Sequence, residues 1–386
     1  MERRFYFDNA ATTWPKPSGV MEAMCRVLAE SGANPGRGSH RMAMQASRIL
    51  FQTRKKIAEL FQVYNPNDIV FTLNTTMALN LAIIGFVQDG EHVICSAVEH
   101  NSVRRPLEWL RINRNVQVTY VETSEDGTLN LKQLQECIQS NTRLAVINHS
   151  SNVLGSIAPL EEISEIFKAR GVKLLVDAAQ SAGVLPIQVS SLAIDMLAFP
   201  GHKALYGPQG TGGLFISPDI DLTPIFFGGT GSQSEAVLQP TVRPDRYESG
   251  TPNTPGIAGL GAGVDFVQKQ SPLNLYAHEW ALTQRLMEGL IALQNINILG
   301  PKIGKPRTGI VSFVMKEIDS AELTFILDQH FGIAVRAGFH CAPLAHISAG
   351  TDKTGAVRVS FSHFNTTDDV DYFIDAVKQI QTQYHA

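Results

Sequence analysis

Two ionisable side chains stand where they could act together on one small molecule. Lys203 follows the apolar run Met196-Leu197-Ala198-Phe199, in the turn Pro200-Gly201-His202-Lys203-Ala204-Leu205-Tyr206-Gly207-Pro208. A lysine at the mouth of a sheet can form a Schiff base with a carbonyl compound if its surroundings lower its pKa. Asp177 closes a second apolar run, Leu174-Leu175-Val176, just ahead of Ala178-Ala179-Gln180. A carboxylate there can pair with a protonated pyridine nitrogen, the contact that keeps pyridoxal phosphate an electron sink. Taken singly, Lys203 reads as a solvated loop lysine and Asp177 as a strand-end cap. Their order along the chain favours chemistry.

Asn74-Thr75-Thr76 follows a strand-like run and opens a helical pattern. Its N–H groups and hydroxyls suit a phosphate, because a helix N-terminus attracts anions, although an ordinary N-cap uses the same residues. Further on, Arg336-Ala337-Gly338-Phe339-His340-Cys341-Ala342-Pro343 sets a thiol beside an arginine and a histidine. Only about 3% of an unperturbed thiol is ionised near pH 7, so cationic neighbours would help activate Cys341. Cys25, Cys95 and Cys137 lack such company and read as small, largely buried thiols. A zinc site from His340, Cys341 and His346 lacks a fourth ligand at a recognisable spacing, so no metal is expected.

These side chains need a scaffold that brings distant segments together. Short apolar runs at 69–71, 92–95, 116–121, 144–148, 174–176, 196–199 and 213–216 read as strands. Amphipathic stretches around 41–61, 76–86, 129–138 and 160–170 read as helices. That alternation predicts an α/β fold with a mostly parallel, doubly covered sheet. The pattern changes after about residue 265: a helix is expected over 275–293, then a break over 300–306. Strands at 310–314, 333–336 and 357–361 follow, interleaved with helices over 320–329 and 367–381, with Ser320 and Thr367 as N-caps. The expected division is a large domain over 15–265 and a smaller α+β domain built from 1–14 and 266–386.

Bulk properties exclude several classes. The chain has 386 residues, 44% hydrophobic and 18% charged, enough for a sizeable core without disulfide or metal staples. Its net charge of −4 and lack of a basic run disfavour a broad grip on nucleic acid. The four cysteines show no paired spacing, which fits a reducing compartment. Neither an apolar signal region nor an apolar run of about 18 residues is present, so a cytoplasmic protein with no membrane span is expected.

Asp177-Ala178-Ala179-Gln180, then Gly201-His202-Lys203 and Gly207-Pro208, resembles the pyridoxal-phosphate enzymes of fold type I. The likeness is to their class V aminotransferase-like branch, which includes cysteine desulfurases and selenocysteine lyases. It runs from Asp8-Asn9-Ala10-Ala11-Thr12 to Arg358. The resemblance implies a seven-stranded sheet in the large domain, with Cys341 and Arg358 carried by the small one. It implies that Lys203 holds the cofactor, that Asp177 faces its pyridine nitrogen, and that Asn152 and Gln180 lie beside its phenolic oxygen. Thr75, Thr76 and His202 would bind the phosphate, and His100 would stack on the ring. Thr251 would reach the phosphate of a neighbouring subunit, hence a homodimer. Arg358 would grip the substrate carboxylate, with Asn152 and Ala11 beside it. One departure stands out: Pro200 occupies a position where the family usually has a phosphate-binding serine.

The run Arg336-x-Gly338-x-x-Cys341 is similar to the persulfide-forming loop of the shorter-loop desulfurases. The implied reaction converts L-cysteine to L-alanine and leaves sulfur on Cys341 for a protein acceptor. Lys203 would move the Cα proton, and His100 would assist at the substrate thiol. Selenocysteine lysis, cysteine-sulfinate desulfination and transamination are the alternatives on the same cofactor. A binding protein on a retired enzyme fold has only Pro200 in its favour.

Overall fold

Leu174-Leu175-Val176 shows no polar alternation because both faces of its strand are covered. The computed structural model describes residues 5–36, 38–316 and 318–384. The chain begins with β1 (Phe5–Tyr6), α1 (Ser18–Glu30) and α2 (Arg41–Phe61). Strands and helices then alternate through β2 (Ile69–Thr72), α3 (Thr75–Phe86), β3 (His92–Ser96), α4 (Asn101–Asn113), β4 (Gln117–Val121) and α5 (Leu131–Glu136). They continue through β5 (Thr142–Asn148), α6 (Leu160–Lys168), β6 (Lys173–Asp177), β7 (Met196–Pro200) and β8 (Gly212–Ile216).

Strands β2 to β8 form one seven-stranded sheet in the order β2-β8-β7-β6-β5-β3-β4. β8 runs antiparallel to both neighbours and the other pairings are parallel, as the sequence predicts. Alternate side chains point to opposite faces. Ala145, Ile147, Leu174, Val176 and Leu197 pack with Ile57 and Phe61 of α2 and Phe167 of α6. Val146, Leu175 and Met196 pack on the other side with Leu79 of α3 and Leu107 of α4.

The remaining elements are α7 (Thr254–Gln270), α8 (Pro272–Ile291), β9 (Ile296–Ile298), β10 (Ile310–Met315), α9 (Ser320–Phe331), β11 (Ile333–Ala334), β12 (Arg336–Gly338), α10 (Pro343–Ser348), β13 (Ala356–Ser360) and α11 (Thr367–Tyr384). An antiparallel sheet, β12-β13-β10-β9, packs Phe313 and Val359 against Leu286 of α8 and Phe373 of α11. β1 pairs in parallel with β11, so the N-terminal segment joins this layer. Among the described residues, no helix is long and apolar enough to cross a membrane.

Several local expectations are corrected. The strand expected over 333–336 is two strands in different sheets, because β11 serves β1 while β12 must turn to meet β13. β9 was not anticipated, since three residues carry no readable period. Residue 265 lies within α7, and Ser271, with φ of 71°, separates α7 from α8. Both expected caps shift by one residue. Asp319 accepts the Ala321 N–H at 2.8 Å, which makes Ser320 the first helical residue. Thr366 and Asp369 cap each other's N–H groups at 3.2 and 3.0 Å, in front of Thr367.

Arg307 joins the two layers. Its side chain is completely buried, and it donates to the carbonyls of Leu154 at 3.0 Å, Pro301 at 2.8 Å and Ile310 at 2.7 Å. Burial pushes its pKa down to about 10, yet it stays charged at neutral pH and ties the turn at Leu154 to the smaller sheet. Arg307→Met would leave these carbonyls unpaired in a dry interior, at a cost of roughly 3–5 kcal/mol. The expected outcome is a clearly lower midpoint in chemical denaturation; an unchanged midpoint would refute this role.

Candidate active site

Strands β5, β6 and β7 are parallel neighbours, so the segments leaving their carboxyl ends converge, the usual ligand position in such sheets. They open on a cavity of about 230 Å³. Asn152 enters it from the turn after β5, Asp177 from the end of β6, and His202 and Lys203 from the turn after β7. Thr75 and Thr76 come from the start of α3, His100 from the N-cap of α4, and Arg358 from β13. Gln180 and Ala11 also line it, the Gln180 amide donating to the Ala10 carbonyl at 3.1 Å.

Burial sets the charges. Desolvation lowers the Lys203 amine to about 8, helped by the Arg358 guanidinium and opposed by Asp177. Desolvation raises Asp177 to about 6, against a hydrogen bond from the Ala179 N–H and the pull of Lys203. Arg358 is almost wholly buried and donates to Asp8 at 2.9 Å and to the Asn152 carbonyl at 3.1 Å. Its Nε is buried without a partner. The His202–Lys203 peptide is clamped by the N-terminal segment. The His202 carbonyl accepts from the Thr13 N–H at 3.1 Å and from Lys16 Nζ at 2.7 Å, and the Lys203 carbonyl from Thr13 Oγ1 at 2.9 Å.

The state of His100 follows from its partners. Its Nδ1 accepts the backbone N–H of Ser102 at 3.0 Å, so the ring proton lies on Nε2. Desolvation and nearby Lys203 push its pKa down to about 4, and the ring is neutral. His202 is likewise pushed down to about 4 by burial and Lys203, and its Nδ1 is buried without a partner.

Two predicted residues lie apart from the cavity. Cys341 is exposed, its Sγ 3.9 Å from Nη2 of Arg336, and Arg336 does line the cavity. Thr251 is exposed near Phe226 and Phe227, in a separate hollow of about 540 Å³. Another hollow, of about 490 Å³, lies around Lys173 and Asp195. Neither sets an amine with a lowered pKa beside an acid with a raised one, which makes the smaller cavity the candidate site.

The structure adds residues to which the sequence assigned no role. Ser102 lines the cavity with its hydroxyl 2.7 Å from that of Thr76, so the starts of α3 and α4 offer a paired hydroxyl. Asn148 lines it too, with Oδ1 buried and unpartnered. Beneath His100, Glu99 accepts from Ser96 Oγ and the Asn148 N–H, both at 2.7 Å, and burial raises it to about 8. Ser102 and Glu99 flank His100 in the sequence, but nothing in their residue types marked a role, and Asn148 gave no sequence signal.

The family model described as aminotransferase class-V matches residues 5–373. The chain belongs to this family. Among its class-V relatives, a protein of Methanothermobacter thermautotrophicus named "Probable cysteine desulfurase" is 34% identical, covering 97% of this chain and 94% of its own. The apo structure of a cysteine desulfurase from Thermococcus onnurineus superposes with a TM-score of 0.92 at 33% identity, over 98% of this chain and 95% of that one. The S-sulfonic acid form of the cysteine desulfurase CsdA from Escherichia coli gives 0.89 at 26% identity, also over 98% and 95%. This class-V chain thus shares its whole fold with desulfurases.

The depressed histidines give a direct test. His100 and His202 should stay neutral and show no titration between about pH 5.5 and about pH 8 in spectra of ¹⁵N-histidine-labelled protein, unlike an exposed histidine. A midpoint near 6.5 for either would contradict the desolvated cavity.

Proposed function

We propose that this chain is a cysteine desulfurase, converting L-cysteine to L-alanine and carrying the sulfur on Cys341. The observation that carries this reading is the grouping of Lys203, Asp177 and Arg358 in one cavity, with an exposed thiol one loop away. The desulfurases among its relatives and structural neighbours support it.

Pyridoxal phosphate fits the groups present. Asn152 Oδ1 and His202 Nδ1 are buried without partners in residues that line the cavity. Lys203 would hold the cofactor covalently, and Asp177 would face its ring nitrogen. Thr75, Thr76, Ser102 and His202 would take its phosphate, Ser102 supplying a hydroxyl in a site where Pro200 has none. His100 would cover the ring, and Asn152 and Gln180 would lie beside the phenolic oxygen. Bound there, the cofactor supplies an electron sink for the pair left at Cα.

The chain's own residues do the rest. Arg358 receives the substrate carboxylate, its orientation fixed by Asp8 and the Asn152 carbonyl. The Lys203 amine takes the Cα proton and returns it. His100, neutral with its proton on Nε2, meets the substrate as a donor. Cys341 thiolate attacks the substrate sulfur; the S–S bond forms as the Cβ–S bond breaks, and Cβ leaves reduced to a methyl group. Cysteine plus the Cys341 thiol becomes alanine plus the Cys341 persulfide, which a protein acceptor or a small thiol then discharges in a reducing cytoplasm. A homodimer would bring Thr251 of one subunit to the phosphate of the other. The division into two lobes, the smaller formed from both chain ends, would set the Cys341 loop and Arg358 over the cofactor.

Cys341→Ala should lower alanine formation from cysteine by about 100-fold or more, with the cofactor's absorbance retained. Cysteine sulfinate, with a better leaving group, should be affected less. Undiminished turnover of cysteine would end the persulfide step. Borohydride trapping of added pyridoxal phosphate on Lys203, read by peptide mass spectrometry, should rise as pH climbs through about 8, since only the neutral amine reacts. A rise delayed until about 10.5, the ordinary lysine value, would contradict the depressed amine.

A further inference from the structure

Consecutive non-glycine residues in left-handed backbone are rare, and the chain has such a pair at its exposed thiol. His340 has φ of 51° and Cys341 of 59°. L-residues adopt this region only under constraint from their surroundings. Part of the constraint acts on the backbone. Asn152 Nδ2 donates to the His340 carbonyl at 2.6 Å, and the Asn101 N–H donates to the Cys341 carbonyl at 2.8 Å.

The rest comes from behind, through a buried chain whose protons can all be assigned. His340 Nε2 lies 3.3 Å from the Arg336 carbonyl, which can only accept, so Nε2 carries the proton. Burial, with Arg358 nearby, pushes His340 down to about 3, so the ring is neutral and Nδ1 is an acceptor. Its partner is His346 Nε2 at 3.4 Å, which must donate. Burial also lowers His346, against a contact with the Phe339 backbone that raises it, and with the proton on Nε2 its Nδ1 accepts from the Thr351 hydroxyl at 2.8 Å. The two ring planes lie 16° apart, which suits an in-plane N–H···N contact, and Phe339 meets the His346 ring edge-on. The Thr351 N–H donates back to the His346 carbonyl at 2.8 Å, and the Gly355 N–H to the Thr351 carbonyl at 2.9 Å, just ahead of β13.

We propose that His346, which lines no part of the cavity, is a positioning residue that sets the direction of the Cys341 thiol by fixing the His340 ring. This deepens the reading of Cys341 as sulfur acceptor and rests on it. Without the His346 donor, His340 Nδ1 is a buried acceptor with no partner, the ring turns, and the left-handed pair loses its support. The thiol then leaves the line of attack on the substrate sulfur, while Arg358 and Asp8 still bind the carboxylate. The loss therefore falls on kcat and spares KM. A glutamine at this position can present an amide N–H where Nε2 stood; a leucine cannot.

The test compares His346→Leu, His346→Gln and the milder Thr351→Val in the cofactor-loaded protein. His346→Leu should lower kcat for alanine release roughly 10- to 100-fold, with KM within about twofold of the parent. His346→Gln should recover most of it, and Thr351→Val should fall between the two. In parallel, the rate of Cys341 alkylation by iodoacetamide, read by peptide mass spectrometry with Cys25 as the internal control, should change in the leucine variant and return in the glutamine variant. Parental kcat in His346→Leu, a matching rise in KM, or equal impairment of Leu and Gln variants would overturn the proposal. Failure of the parent reading looks different: the unmodified protein makes no alanine, or Cys341→Ala keeps full turnover, while the alkylation comparison still reports on the loop.

Discussion

Burying Lys203 is the constraint on which the rest of the structure depends. Desolvation lowers the lysine to about 8 and raises Asp177 to about 6, so both groups titrate near neutrality, unlike their free counterparts. A buried site must also balance its fixed charges. Arg358, brought in from a strand near the C-terminus, is neutralised by Asp8, close to the N-terminus. That single contact requires the two ends of the chain to meet. β1 pairing with β11 and the Ser360 N–H donating to the Phe7 carbonyl are how they do so. The same N-terminal segment then clamps the His202–Lys203 peptide, so charge balance and lysine placement are served by one stretch of chain.

Around this centre, burial keeps several titratable groups neutral. His100, His202 and His340 are all pushed well below their ordinary value, and Glu99 is raised to about 8. Neutral imidazoles next to a lysine and two arginines add no further positive charge, which leaves the cationic field to Lys203, Arg336 and Arg358. Asn152 links the halves: its carbonyl orients Arg358, while its amide holds the loop before Cys341. The Cys341 loop and Arg358, the nucleophile and the carboxylate clamp of the proposed reaction, are therefore neighbours in one hydrogen-bonded unit.

Much of this was legible in the sequence because it lies in short motifs at strand ends. Lys203, Asp177, Asn152, His100 and Arg358 each follow or sit on a recognisable apolar run, and the sheet order brings them together. What stayed hidden depends on contacts between segments far apart in the chain. Arg307 reads as one more loop arginine, yet it spans the two layers through carbonyls as distant as Leu154. Glu99 reads as a surface acid beside a histidine until the fold buries it. The split of 333–336 into β11 and β12 is set by two different partners rather than by local propensity. The one-residue errors at Ser320 and Thr367 arose because Asp319 and Thr366 are equally good caps, and only the backbone path distinguishes them.

The hydrogen bond from the Asn101 N–H to the Cys341 carbonyl has a consequence for traffic across the surface. It moors the thiol's backbone to the first turn of α4, while Asn152 moors the residue before it. A loop tied at two successive carbonyls cannot swing outward like an arm. Cargo bound to Cys341 would stay at a fixed quay. In the proposed reaction, an acceptor would have to come to that exposed thiol rather than wait for the loop to deliver it.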